Sequence, residues 1–425
     1  MINFNVYFLL IMLKKSLRST AKFSDSPPSP MRLALAFDYE EEGWPSMDLV
    51  GEMIAQGLAD RHSVAVLAEL VRPPCRRRFG RWPGVRRVGG AGNADRLLNR
   101  FWDYPSSVAR RLRREPFDLF HIVDHSYSQL LHVLPADRTI VTCHDLDTFR
   151  CLLEPEREPR PRWFRAMAGR ILDGFRQAAV VVCDSEVIRQ AVLAHGLIPE
   201  DRLHTVPLGM ASEFSAEPNP EADAEAVRLL GPAPDDPTRA PELLHVGTTI
   251  PRKRIDVLLE VVARVRQERP EARLFRVGGR LTAEQQRLAE TLGLSGAIVE
   301  LPRIDRKVLA GVYRRATLVL QPSEAEGFGL PVAEALACGA IVLASDLEVL
   351  REVGGDAVTY RPVADVSAWA NAVSEILERR CTDPQAWQAN RSLGLARASR
   401  WSWPAHVDRL VEIYRDLAGR RTHSE

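Results

Sequence analysis

The sequence predicts an α/β protein built as two doubly wound, parallel-sheet halves that face each other across a cleft. Three observations carry this. Short apolar runs rich in β-branched residues alternate with amphipathic helical stretches over residues 31–214, and the alternation restarts over 242–400. Between them, residues 215–241 hold six prolines and mostly acidic charge, which reads as a linker around one short helix. The length of 425 residues is enough for two or three domains with proper cores.

The elements follow in order. "MRLALAFD" (31–38) opens as a buried strand and "MDLVGEMIAQGLADR" as an amphipathic helix. "SVAVLAEL", "LFHIVD", "RTIVTCHD" and "AAVVVCDS" continue as strands. The second series starts at "ELLHVGT" (242–248). It runs through the helix "DVLLEVVARVRQERP", the strands "ARLFRVGG" and "AIVELPR", the helix "VLAGVYRRA", and the strands "TLVLQPS" and "AIVLASD". Residues 401–425, with "WSWPAHVDRLVEIYRDLAGR", form a tryptophan-anchored amphipathic helix expected to cross back to the first half. In such Rossmann-like halves, ligands sit at the C-terminal strand edges that face the cleft.

Composition excludes several classes. Hydrophobic content of 45% and charged content of 27% are ordinary for a globular chain, and a net charge of +1 gives no case for nucleic acid. Six scattered cysteines with no C-x-x-C pair fit a reducing cytoplasm, without a disulfide framework or zinc site. Residues 1–30 stand apart. "VYFLLIML" is too short to span a bilayer, three of the five lysines fall here, and "SDSPPSP" reads as disordered linker. The expectation is an extension from an upstream start codon, with Met31 the true beginning; a weak membrane-surface anchor is the alternative.

The most informative stretch is "PSEAEGFGLPVAEALACG" (322–339), in which seven residues separate Glu326 from Glu334. Gly327 and Gly329 allow a tight strand-to-helix turn with close backbone approach to a ligand. Pro331 suits the first helical turn and Gly339 the position just past the helix end, so the helix starts near Leu330. Its N-terminus offers free N–H groups and partial positive charge, which suit phosphate. Carboxylates beside such a site grip hydroxyls. Phosphate and hydroxyls together suggest a nucleotide or nucleotide-sugar. At the start of the second half, "HVGTTIPRKRIDVLLE" ends a strand at Gly247 and places Arg252 and Lys253 before a helix. The basic pair forms a phosphate clamp, a planar fork beside a point charge.

These two stretches resemble the retaining glycosyltransferases of the two-Rossmann (GT-B) type, a large family with many bacterial mannosyl- and glucosyltransferases. "VPLGMASEF" (206–214), "VVCDSE" (181–186) and "VTCHDL" (141–146) match its N-terminal half in the expected order, so the resemblance covers roughly residues 31 to 420. It implies that Arg252 and Lys253 bind the donor diphosphate with the amides of Gly327, Phe328, Gly329 and Leu330. Glu334 takes the ribose hydroxyls, and Glu326 contacts the donor sugar near the reacting centre. His144, at a strand end facing the cleft, sits beside the donor sugar and acceptor. The glycine-rich loop expected after the first strand is replaced by "DYEEEGWPSMD", with only Gly43 left to handle an acceptor.

Other candidates read more plainly. Asp145 and Asp147 form an Asp-x-Asp in a fold that expects no metal, so they read as loop residues. His121 and His125 are four apart on a strand-to-turn segment, which is no zinc pair. Ser185 reads as a helix cap, and "GGAG" (89–92) lacks the strand and acid of a dinucleotide fingerprint. Residues 70–114 hold thirteen arginines and two aspartates. This is either a solvated face or a basic face that meets anionic lipid.

The resulting expectation is a cytoplasmic, retaining hexosyltransferase, either free or peripheral on the cytoplasmic face of the inner membrane. It uses a nucleotide-diphosphate sugar as co-substrate, with no cofactor and no metal. The acceptor is a glycan or lipid-linked glycan in surface polysaccharide synthesis. A pyridoxal-dependent phosphorylase shares the fold, but Lys307 in "PRIDRKVL" lacks the context of a Schiff-base lysine. A nucleotide-sugar epimerase and a non-catalytic nucleotide-sugar-binding subunit stay open.

Overall fold

The computed structural model describes residues 30–79, 91–236 and 240–422. Residues 1–29 of the expected extension, Arg81 of the basic stretch and the first half of "GGAG" lie outside the described residues. In the first half, strands β1 (Met31–Ala36), β2 (Val66–Val71), β3 (Leu119–Ile122), β4 (Thr139–Cys143), β5 (Val180–Cys183) and β6 (Leu203–Thr205) alternate with helices. These helices are α1 (Pro45–His62), α2 (Ala91–Leu98), α3 (Tyr104–Leu112), α4 (Arg162–Gln177) and α5 (Glu186–Ala194). Helix α6 (Pro220–Leu230) occupies the linker. The second half carries β7 (Glu242–Val246), β8 (Arg273–Val277), β9 (Ile298–Leu301), β10 (Leu318–Gln321), β11 (Val342–Ser345) and β12 (Val358–Arg361). Its helices are α7 (Ile255–Glu268), α8 (Ala283–Thr291), α9 (Arg306–Arg315), α10 (Leu330–Ala337), α11 (Glu348–Gly354), α12 (Val366–Thr382) and α13 (Pro384–Ala398). Helix α14 (Trp403–Thr422) ends the described chain.

Each half is a six-stranded sheet whose strand pairings are parallel. The sequence expectation of two doubly wound layers is met, but the halves are not copies. The first runs β2-β1-β3-β4-β5-β6 and the second β12-β11-β10-β7-β8-β9. The strand order therefore reverses between β1 and β3 in one half, and between β7 and β10 in the other. Loops diverge at such a switch point and leave a crevice for ligand.

The strands read as continuous apolar runs because helices cover both faces. One core lies outside each sheet, around Phe120 and Phe175 in the first half and around Leu258 and Trp369 in the second. A third joins the halves through Val206, Leu208 and Phe214 and the apolar face of α14. The linker is not a free spacer. Asn219 caps α6 by accepting from the Ala222 amide at 3.0 Å, and α6 packs so closely on α9 that a Cβ on Gly311 would lie 3.3 Å from Ala226.

Helix α14 returns to the first half, as expected. Val407 fills the space a side chain at Gly57 would need, and Asp408 takes Arg61 at 2.8 Å and His62 at 2.6 Å. Tyr414 meets His121 Nδ1 at 2.7 Å while Thr142 holds Nε2 at 2.7 Å, so His121 is a packing residue. Where the chain crosses, the Met210 amide donates to the Trp401 carbonyl at 3.1 Å.

The basic stretch at 70–114 is less bare than its composition implies. Arg72, Arg76, Arg78, Arg96, Arg100 and Arg111 hold Asp48, Asp103, Glu42 and Glu69, three of which lie outside that window. Arg77, Arg113 and Arg114 are exposed, as is Trp102. Among the described residues, no helix is long and apolar enough to cross a membrane.

Candidate active site

The second half's switch point gathers the residues singled out by motif. Strand β7 ends at Val246, and a tight turn, Pro251–Lys253, leads into α7. Strand β10 ends at Gln321, and its loop turns at Gly329, with φ of 96°, into α10. Pro331 stands in the first turn of α10 and Gly339 follows its end with φ of 72°, as their chemistry predicts.

Glu326 is the most tightly held group. Lys253 Nζ donates to its two oxygens at 2.6 and 2.8 Å. Gln321 Nε2 and Ser323 Oγ both donate to Oε1 at 2.7 Å. Burial alone would push this carboxyl up, but the charges of Lys253 and Arg252 and the donated hydrogen bonds hold it at about 2. Arg252 lies 4.0 Å from Glu326 and donates to the Ala325 carbonyl at 3.2 Å. On its other side it crosses the cleft to Asp147 at 3.3 Å and Asp145 at 3.7 Å. The Asp-x-Asp is thus more than a loop filler: it holds an arginine of the opposite half.

Glu334 lies within α10, buried, with Oε2 accepting from the Tyr313 hydroxyl at 3.0 Å. Burial raises its carboxyl to about 7 against the opposing effects of Tyr313 and Arg306. Two glutamates on one loop-helix unit are therefore in opposite electrostatic states, one paired and ionised, the other poised near neutrality.

Two expectations gain detail. Gly327 is also closed in by protein: a Cβ there would lie 1.9 Å from the His144 carbonyl oxygen. The His144 imidazole does not present a free nitrogen to the cleft. Its Nδ1 meets Asp184 Oδ2 at 2.5 Å and its Nε2 meets the Val123 carbonyl at 2.8 Å, both within the first half. Burial works against its charge, but Asp184 more than compensates and raises its pKa to about 9. Gly43 caps a turn with φ of 70° and open space around it, unlike the closely packed Gly327.

Ser185 caps α5, as expected, by accepting from the Ile188 amide at 3.2 Å. It also donates to the Gly327 carbonyl at 3.0 Å, and Glu352 reaches across to accept from the Glu186 and Val187 amides at 2.8 and 3.1 Å. The two halves are closed at this end of the cleft.

The first half's own switch point holds an acid pair. Burial, then the charge of Asp124, pushes the Asp38 carboxyl well above its usual range. Asp124 stays below the usual range despite burial, because His125 and a hydrogen bond with Asp38 favour its charge. It also accepts from the Ser126 amide and hydroxyl at 2.7 Å each.

Sequence reasoning passed over Gln321, Ser323, Asp184, Tyr313 and the bridging role of Asp145 and Asp147. Ser323 and Gln321 had a usable signal, since both are polar residues at the end of an apolar strand. Asp184 and Tyr313 had none, because only tertiary packing brings them to their partners.

Comparison with known proteins agrees with this geometry. The family model for glycosyl transferases group 1 matches residues 232–392, and that for Glycosyltransferase Family 4 matches residues 52–214. O-antigen chain mannosyltransferase B of Escherichia coli is 29% identical over 336 residues, covering 77% of this chain and 84% of that protein. Serotype-specific mannosyltransferase WbdA of Escherichia coli is 28% identical over 305 residues, or 69% of this chain but 36% of that longer protein. Anabaena HepE, solved with UDP and glucose, has the same fold with a TM-score of 0.65 at 18% identity, covering 90% of this chain and 99% of that one.

Proposed function

Because the chain belongs to the group 1 glycosyltransferases, we propose that it is a retaining, metal-independent hexosyltransferase. It moves a hexose from a nucleotide-diphosphate sugar to a glycan or lipid-linked acceptor in surface polysaccharide synthesis. One observation carries the reading: Arg252, Lys253, Glu326 and the N-terminus of α10 converge where the second sheet reverses its strand order.

The donor diphosphate lies against Arg252, Lys253 and the amides from Gly327 to Leu330. An ammonium has three protons and Glu326 uses two of those on Lys253, which leaves one for a phosphate oxygen. As the glycosidic bond breaks, negative charge grows on the leaving diphosphate. The same cations and amides stabilise that charge without reorganising. Glu334 accepts from the ribose hydroxyls.

Glu326 accepts from the donor sugar's hydroxyls and steadies positive charge at the reacting carbon. Its oxygens are tied by Lys253, Gln321 and Ser323, which blunts it as a nucleophile and favours attack by the acceptor from the leaving-group side. Asp145 and Asp147 have a partner in Arg252, so the reading gives them no metal to hold. The acceptor enters over the loops after β1 and β3. Exposed arginines and Trp102 on the first half favour peripheral contact with the cytoplasmic face of an anionic membrane.

The deciding experiment is a binding and transfer screen over UDP-, GDP- and ADP-hexoses. One donor binds, its product keeps the donor's anomeric configuration, and activity survives EDTA. Inversion at the anomeric carbon would overturn the retaining assignment. Turnover to an epimerised nucleotide-sugar without acceptor would replace transfer by epimerisation.

A further inference from the structure

Arg276, on β8, is fully buried. Taking a guanidinium out of water is costly unless a carboxylate compensates it, and nearby Arg273 and Arg315 obey that rule by sharing Glu242. Arg276 does not. Its side chain donates to two backbone carbonyls, Gly279 at 2.6 Å and Gly247 at 3.1 Å, and its Nε has no partner among the described residues. Burial lowers its pKa, and Glu300, opposite it on β9, opposes that shift without pairing with it, since Glu300 accepts from the Leu281 amide. Arginine stays charged regardless.

Both carbonyls belong to the turns that end β7 and β8. Gly278 and Gly279 each have φ of 120°, and a Cβ on Gly278 would lie 2.4 Å from the Gly247 oxygen. The two turns are thus stacked backbone on backbone. In a trans peptide the C=O and the following N–H point in opposite directions. Drawing the Gly247 and Gly279 carbonyls onto the guanidinium therefore aims the amides of Thr248 and Arg280 away from it. Thr248 Oγ1, on the same turn, is buried without a partner among the described residues. His245 lies against Gly247 under the influence of both Arg276 and Lys253. Burial and those charges hold it at about 3, so it stays neutral and adds no further charge beside the arginine.

We propose that Arg276 is a positioning residue of the donor site. It pins the two glycine turns so that their amides meet the donor diphosphate, and it sets a positive charge beneath them. The inference rests on the donor reading above and adds a residue to it.

The test compares UDP, GDP and ADP with their monophosphates on the full chain, at one ionic strength. The readout is the diphosphate-to-monophosphate affinity ratio. Arg276→Met should lower that ratio at least tenfold for whichever base binds. Arg276→Lys, which keeps the charge but loses the fork, should fall between Met and wild type.

If the wild-type protein binds no diphosphate, the donor reading falls and takes this inference with it. If it binds one and Arg276→Met keeps the wild-type ratio, only the inference falls. Equal weakening of both nucleotides with a lowered melting temperature marks a merely structural residue and also overturns it. Should Arg276→Met fail to fold, Arg276→Lys decides alone: a wild-type ratio rejects the proposal and a reduced one supports it.

Discussion

Lys253 Nζ lies within 2.8 Å of both carboxylate oxygens of Glu326, so the two groups form one unit before any ligand arrives. Lys253→Ala should weaken donor binding and slow transfer together, by about 1.5–3 kcal/mol for a charge-assisted contact. It should also lower the melting temperature, because buried Glu326 loses its closest cation and keeps only Arg252 at 4.0 Å. Pairing Lys253→Met with Glu326→Gln should restore most of the stability and none of the activity. Donor titration and thermal melts on both variants test this; unchanged donor affinity in Lys253→Ala would sink the clamp.

Glu334 predicts a pH profile. Its folded value of about 7 lies above the ordinary 4.5, so the folded state binds the extra proton between those values. Its ionisation therefore costs stability as pH rises from 4.5 to 7. The ionised carboxylate is the better acceptor for two ribose hydroxyls, so donor affinity should climb through pH 7 and level off above it. Glu334→Gln should bind donor more weakly with that rise removed. A wild-type affinity flat from pH 6 to 8 would count against the ribose role.

His144 acts in the other direction. Its pKa is raised from 6.5 to about 9 chiefly by Asp184, working against burial. The pair's stabilisation should be fully present below pH 6.5 and lost as pH rises through 9, about 3 kcal/mol for a shift of that size. Asp184→Asn should destabilise the protein at pH 6 and flatten the dependence between pH 6.5 and 9. Chemical denaturation across that range measures it.

Gly327→Ala places a methyl group where the His144 carbonyl already sits. The loop or the opposite half must shift, breaking the Ser185 contact as well. Turnover should fall at least tenfold and small-angle scattering should show a larger radius of gyration. A variant with wild-type turnover and compactness would show that the contact is dispensable.

Membrane contact is best tested at the arginines outside the ion pairs. Replacing Arg77, Arg113 and Arg114 with glutamine should weaken binding to anionic vesicles at low salt, by about 1 kcal/mol per residue at the surface, and leave donor affinity alone. Replacing Arg76 and Arg78 should instead cost stability through Asp103. A wild-type protein that ignores such vesicles at low salt has a solvated face and a soluble acceptor.

What was legible in the sequence was local. Residues 318–339 carry a strand, a glycine turn and a short helix in twenty-two consecutive positions, so the placing of Glu326 and Glu334 needs no distant information. The phosphate clamp is local for the same reason. What was not legible depends on partners far along the chain. No pattern near Gly327 reveals that the His144 carbonyl will meet it, and none near Arg276 reveals that its partners are glycine carbonyls. Strand order in the first half is equally hidden, because "LFHIVD" is equally apolar whichever neighbour it takes. Strand β6 is three residues long, too short for any periodicity. Strand β12, "VTYR", had a β-branched and aromatic signal followed by Pro362 that a closer reading could use.

The return of the C-terminal helix has a mechanical consequence. The chain passes between the halves twice, once after Phe214 and once before Trp403, and the two passages are bonded side by side at Met210 and Ser402. A single tether would let the halves twist, slide and swing freely. Two tethers fastened together behave like the paired leaves of a door hinge. They resist sliding and twisting more than one strand of chain would, which helps keep Arg252 in register with Asp145 and Asp147 across the cleft.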